Sequence, residues 1–139
     1  MGILTYSPLG GGWLSGQWTA DSSPTSPARQ RLAKRFDMSL PDNQRKLQAV
    51  DQLAIVADDA GISMIELAIA FVVNHPAVTS AIVGPRTMEQ LESQLPAADA
   101  VLDAATLDRI DGIVHPGTNL NPADTSYGER VLQPVRRRR

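Results

Sequence analysis

The sequence predicts an α/β fold with parallel strands, and three features carry that expectation. Two short apolar runs, residues 3–6 ("ILTY") and 78–83 ("VTSAIV"), have strand character and are each cut off by turn residues. Segments of helical periodicity follow both, and alternation of strands with helices is the pattern of a parallel sheet. The second run is largely apolar throughout, as expected of a strand buried on both faces.

Bulk composition narrows the class. The 139 residues are 42% hydrophobic and 20% charged, the balance of an ordinary globular domain with one core. Thirteen basic and fifteen acidic residues give a net charge of -2, so no global field draws the chain to nucleic acid or to a membrane surface. The one charge cluster, Arg136-Arg137-Arg138-Arg139, reads as a solvated tail. The absence of cysteine excludes disulfides, thiolate nucleophiles and cysteine-based metal sites, and no metal site is expected. The opening Met1-Gly2-Ile3-Leu4 runs at once into turn chemistry, unlike a signal peptide. The best apolar run, residues 65–73, contains Glu66 and is about half the length of a membrane span. A soluble, cytoplasmic protein is expected.

Each element has its own local reason. The strand at residues 3–6 is stopped by Pro8 and three glycines. Residues 19–27, with "SSPTSP" at their centre, read as a mobile loop, and residues 29–36 as a short basic helix. From Asn43, the spacing of Leu47, Val50, Ala54 and Ala57 predicts a long helix that Gly61 stops. Ser63 and Glu66 have the spacing of a capping box, opening a helix to about Asn74 that is apolar nearly all round and needs cover on several sides. His75-Pro76 ends it, and Gly84-Pro85 ends the following strand. Thr87 and Gln90 repeat the capping-box register, and Asp103 or Ala104 begins a last amphipathic helix to Val114. From His115 onward the chain is turn residues. Two parallel strands alone leave both edges bare, which is a poor independent fold. A larger structure is expected around them.

The chemistry concentrates where the strands end. In α/β folds, ligands gather there because loops present backbone N–H groups to them. After the first strand, Gly10, Gly11 and Gly12 allow close backbone approach, and Ser7 and Ser15 supply hydroxyls. After the second, Gly84 permits a sharp turn, and Arg86 precedes a helix start where a guanidinium can grip a phosphate in bidentate fashion. Gln90 lies one turn further on. Each sign has a plain alternative: a flexible glycine loop, a surface arginine, and for Tyr6 a core aromatic. Together they predict two neighbouring strand ends built for anions.

These residues resemble the C-terminal part of the aldo/keto reductases, NADP(H)-dependent enzymes built on a TIM barrel. "YSPLGGGWLSG" is similar to the family's seventh barrel strand and its loop, "SAIVGPRTMEQLESQL" to the eighth strand and its helix, and "HPGTNLNPAD" to its tail. The resemblance implies a partial (β/α)8 barrel: about the last two strand–helix units plus a C-terminal helix in residues 1–115, then an irregular tail in 116–139. It also implies cofactor roles. Tyr6 would stack on the nicotinamide, Ser7, Leu9 and Gly11 would line the pyrophosphate, and Gly84 and Arg86 would hold the adenosine 2′-phosphate with Gln90 close by. Ser93-Gln94 stands where the family often has Glu-Asn, so Gln94 faces adenine with a longer amide. Gln17 stands where the family often has Lys, which implies weaker phosphate binding.

The family's catalytic Tyr, Lys, Asp and His come from strands before the seventh, so the resemblance implies that no catalytic residue lies in this chain. His75 and His115 each precede a proline at a helix end, where histidine is favoured for dipole reasons alone, and Tyr127 lies in a turn-rich tail. An oxidoreductase fragment that holds NADP(H) and is inactive alone is therefore expected. The alternative is a non-catalytic nucleotide-binding or interaction module that dimerises or docks with a separate N-terminal half.

Overall fold

The computed structural model describes residues 2–19 and 30–125, in the order β1 (Leu4–Tyr6), a 3₁₀ turn (Gly10–Gly12), a second 3₁₀ turn (Ala33–Arg35), α1 (Pro41–Asp59), α2 (Met64–Val73), β2 (Ser80–Ile82), α3 (Met88–Gln94), a 3₁₀ turn (Leu95–Ala98), α4 (Ala104–Ile113) and a 3₁₀ turn (Pro122–Asp124). The expected loop from residue 20 onward, Tyr127 and the arginine tail lie outside the described residues. Among the described residues no helix is long and apolar enough to cross a membrane.

Helix ends follow their local chemistry. Gly61, at φ 69°, closes α1 in a Schellman motif: Gly61 N donates to the Asp58 carbonyl at 3.0 Å and Ile62 N to the Ala57 carbonyl at 3.1 Å. Two residues later the capping box forms as its spacing predicts. Glu66 N donates to Ser63 Oγ at 3.2 Å, and Ser63 N donates to Glu66 Oε2 at 2.7 Å. Asp103 caps α4 through Thr106 N at 2.8 Å.

The chain divides into two compact units. The first comprises Met1–Pro24 and Leu47–Pro116 and holds the sheet. In it β1 pairs with β2 in parallel, with Leu4 opposite Ser80, Thr5 opposite Ala81 and Tyr6 opposite Ile82. Thr79 fastens the start of the pair: its Oγ1 accepts from Ile3 N at 3.0 Å while its N–H donates to the Ile3 carbonyl at 2.8 Å. A Cβ on Gly2 would stand 2.9 Å from that Oγ1, so a larger residue there would displace the Thr79 side chain.

The core of this unit lies under α2. Met64, Leu67, Ala68, Ile69 and Ala70 are buried, and the helix packs against β2, α3 and the turn that carries the buried Ala97. Asn74 ties the end of α2 to the next connection, donating to the Ala100 carbonyl at 3.0 Å and accepting from Leu102 N at 2.9 Å.

One expectation needs correction here. Residues 78–83 were expected to be buried on both faces, yet the strand is only Ser80–Ile82, and its paired residues alternate in exposure with those of β1. Thr5 and Ala81 are half-buried, while Leu4, Tyr6 and Ile82 on the opposite face are 64%, 65% and 56% exposed. Among the described residues, helix covers one face and nothing covers the other. α2, by contrast, is covered on several sides as expected, since four consecutive residues, Leu67, Ala68, Ile69 and Ala70, are all buried while Phe71 is exposed.

The second unit comprises Thr25–Lys46 and Gly117–Arg139. Of the basic helix expected over residues 29–36, Gln30 and Arg31 are helical, and the chain then passes into the 3₁₀ turn Ala33–Arg35, with Phe36 leaving helical geometry at φ -132°. Three buried polar side chains hold this unit: Asn43, Lys46 and Asn121. Asn43 Nδ2 donates to the carbonyls of Lys34 at 3.1 Å and Asp37 at 2.9 Å, and its Oδ1 accepts from Asn121 Nδ2 at 2.7 Å. Lys46 Nζ donates to the Arg35 carbonyl at 2.8 Å and pairs with Asp124 at 2.9 Å. Burial pushes the Lys46 ammonium below its ordinary pKa, and the Asp124 carboxylate opposes that shift.

Two outcomes test this account. Ser63→Ala removes a cap and is expected to lower stability by about 1 kcal/mol in urea denaturation at neutral pH. The Ser63 contacts hold the Glu66 carboxyl below its ordinary 4.5, so their contribution is complete above that value and disappears as pH falls through the lower folded-state pKa. The gap between wild type and Ser63→Ala should accordingly narrow in acid. Asn43→Ala removes the acceptor of Asn121 Nδ2, which keeps its bond to the Lys34 carbonyl at 3.1 Å, and the donor to the Asp37 carbonyl; it is expected to cost about 1–3 kcal/mol, read as a lower urea midpoint.

Candidate functional site

Because β1 and β2 run parallel with Tyr6 opposite Ile82, the chain leaves both strands at the same edge of the sheet. The segments that follow emerge side by side, which brings the two groups of expected site residues to one end of the first unit.

Tyr6 is exposed, so it is not a core aromatic. Ser7 follows at φ 55°, the one non-glycine residue in the left-handed region among those described. Gly10, Gly11 and Gly12 then all take positive φ, at 57°, 70° and 100°. A side chain at Gly10 would meet only Trp13 Cβ at an ordinary 3.7 Å, so backbone conformation rather than space demands glycine.

The resulting turn is fastened. Gly10 N donates to the Ser7 carbonyl at 2.9 Å, and Gly12 N and Leu14 N both donate to the Leu9 carbonyl, at 2.8 and 3.2 Å. Below it Trp13 and Trp18 are buried and stacked, with ring centroids 4.0 Å apart and planes 19° apart. The alternative of a flexible glycine loop is thus answered by a turn set on an aromatic base. Ser15 is corrected as a ligand donor, because its hydroxyl donates inward to the Gly12 carbonyl at 2.7 Å.

At the end of β2, Gly84 is exposed, with open space where a side chain would stand. Arg86 is exposed too, and among the described residues its guanidinium has no carboxylate partner. Thr87 caps α3 as expected, accepting from Gln90 N at 3.2 Å. The reciprocal half of that capping box differs. Gln90 Oε1 accepts from Arg86 N at 2.8 Å, one residue earlier than the capping-box register, and so holds the arginine's own backbone. α3 has only seven residues, which makes the arginine side chain, and not a helix dipole, the source of positive charge here.

Gln94 ends α3, one turn beyond Gln90 on the same side. Its Oε1 is buried with no hydrogen-bond partner among the described residues, an arrangement that buried polar atoms rarely keep without a ligand or water. Ser93, its neighbour, donates inward to the Gln90 carbonyl at 2.9 Å.

The remaining candidates stand apart. His75 Nδ1 accepts from Ala77 N at 3.1 Å, and His115 Nδ1 lies 2.9 Å from the Pro116 carbonyl, so both imidazoles are engaged by adjacent backbone. Among the described residues no cluster of His, Asp or Glu could hold a metal ion. The tryptophan pair was not foreseen; its signal was two indoles flanking the "LSGQ" turn just after the glycines.

The Aldo/keto reductase family model matches residues 1–115. The chain belongs to the aldo/keto reductase family. Relatives of this aldo/keto reductase chain include a probable voltage-gated potassium channel subunit beta from Arabidopsis thaliana, 30% identical over 118 residues, covering 82% of this chain and 35% of the relative. The uncharacterized oxidoreductase YrpG of Bacillus subtilis is 31% identical over 113 residues, 81% of this chain and 32% of its own length. Protein tas of Escherichia coli is 31% identical over 111 residues, 80% of this chain and 31% of its own. The chain therefore spans about one third of the length of these curated relatives.

The aromatic base of the glycine turn can be tested directly. Trp18→Ala is expected to cost about 3–5 kcal/mol and to abolish the near-UV circular dichroism of the stacked indoles, both read on the purified chain.

Proposed function

We propose that this chain is the NADP(H)-binding portion of an aldo/keto reductase, contributing about the last two strand–helix units of a (β/α)8 barrel. Residues 1–115 make up that portion and residues 116–139 its tail. The observation that carries the reading is the pairing of two parallel strand ends, one followed by a left-handed glycine turn and the other by an arginine with no carboxylate partner among the described residues.

The residues present suit a dinucleotide phosphate. Gly10 N and Gly12 N close the turn on the Ser7 and Leu9 carbonyls, and the left-handed glycines bring the backbone of Gly11 near a ligand without side-chain cover, which suits the pyrophosphate beside Ser7, Leu9 and Gly11. The exposed Tyr6 ring offers a stacking surface for the nicotinamide. Arg86, beside the open backbone of Gly84, meets the 2′-phosphate in a charge-assisted contact. Gln90 serves that contact through the Arg86 backbone, and the orphaned Gln94 Oε1 accepts from the adenine amino group.

When bound, NADPH supplies a hydride for an aldehyde or ketone carbonyl. This chain's residues bind and orient it; the Tyr, Lys, Asp and His that polarise the carbonyl in the family come from preceding strands. The chain alone binds the cofactor without turning it over. It works in the cytoplasm, on a small molecule and not on nucleic acid or membrane.

Titration calorimetry tests the assignment. The wild-type chain is expected to bind NADPH more tightly than NADH. Arg86→Ala is expected to lose about 10- to 100-fold in NADPH affinity, the worth of a hydrogen bond to a charged group, while NADH binding stays unchanged. Equal affinity of the wild type for both cofactors would remove the assignment. No aldehyde-dependent NADPH oxidation is expected from the same preparation.

A further inference from the structure

Different kinds of interior hold the two units. Every buried apolar side chain among the described residues, from Trp13 to Ile110, belongs to the first unit. The second unit buries Asn43, Lys46 and Asn121 instead, while its Leu32 and Leu40 stay exposed. Its two stretches of chain, residues 33–46 and 121–124, meet through polar contacts. Arg35 Nε donates to the Ala123 carbonyl at 2.7 Å, and Asn121 Nδ2 donates to the Lys34 carbonyl at 3.1 Å and to Asn43 Oδ1 at 2.7 Å. Lys46 Nζ pairs with Asp124 at 2.9 Å, and Asn121 Oδ1 fixes the turn itself by accepting from Ala123 N at 2.8 Å.

Such an interior is weakly closed. Apolar burial gains free energy in proportion to the area removed from water, and the first unit has that gain. A polar contact only exchanges water for a protein partner, which is worth about tenfold in an opening equilibrium, or somewhat more where a charge takes part. Burial of the Lys46 ammonium is itself unfavourable and Asp124 offsets it only in part, as its lowered pKa records.

We propose that the second unit is a polar clasp, closed by residues 121–124 over residues 33–46, which opens as one piece while the first unit stays folded. Its contacts open together because they share members. Asn121 joins Lys34, Asn43 and Ala123 at once, and Lys46 joins the Arg35 carbonyl to Asp124. Release turns Lys46 from a buried amine into one that water and reagents reach. Nothing in the clasp depends on NADP(H).

The chain has two lysines, Lys34 exposed and Lys46 buried, and they supply the test. The full chain is acetylated with the N-hydroxysuccinimide ester of acetic acid at constant pH, without cofactor, and each site is quantified by mass spectrometry. In buffer, Lys46 is expected to label about 10- to 1,000-fold more slowly than Lys34. Along a urea series its rate is expected to reach that of Lys34 while the near-UV circular dichroism of the stacked Trp13 and Trp18, both in the first unit, is still complete. Asp124→Asn and Asn121→Ala are each expected to speed Lys46 labelling at least about tenfold and to leave the midpoint of the indole signal unchanged. Equal labelling of the two lysines in buffer overturns the proposal, as does coincidence of the Lys46 and indole transitions in urea. Variants that leave Lys46 protected, or that move both transitions together, overturn it too.

Discussion

The pairing of two three-residue strands governs this molecule. With Tyr6 set opposite Ile82, both strands must release the chain at the same edge, and every candidate ligand residue follows one of those two exits. So short a ladder contributes little on its own. Its register is held instead by the double contact between Thr79 and Ile3 at the start and by the apolar face of α2, which packs against β2. A slip of β1 by one residue would turn Thr5 outward and carry Leu4 and Tyr6 to the helix-covered face.

From that constraint the two exits develop different chemistry. The first is a matter of backbone: Ser7 and three glycines in left-handed geometry, steadied by carbonyl contacts and by stacked indoles beneath. Holding a serine at positive φ stores strain, and such strain concentrates at sites that hold ligands. The second exit is a matter of side chains, with Arg86 carrying charge and Gln90 anchoring its backbone. Backbone donors that approach closely and a guanidinium that reaches are complementary ways to meet an anion with more than one phosphate.

Much of this was legible in the sequence where the cause is local. Ser63 with Glu66 and the glycine after Ala60 announce helix ends through contacts within five residues, and the structure places the ends there, while of the two starts offered for the last helix it selects Asp103 as the cap. What escaped is set by distant neighbours. The apolar residues 78–83 describe a strand suited to burial, but burial depends on layers, and only one is present among the described residues. The cluster of Asn43, Lys46 and Asn121 joins residues 78 apart and carries no periodic signal. At Gln90 the spacing was right and the partner was wrong: the glutamine reaches one residue further back than a capping box requires. Family resemblance supplied roles for Tyr6 and Gln94 that no pattern of spacing contains.

The central claim is that one dinucleotide spans both strand exits. An NMR titration of the isotope-labelled full chain with NADPH tests it most directly. The account predicts that amides of residues 7–12 and of residues 84–94 shift together, along one binding curve with a single dissociation constant. Shifts confined to one segment, or two segments that titrate with different constants, would contradict it.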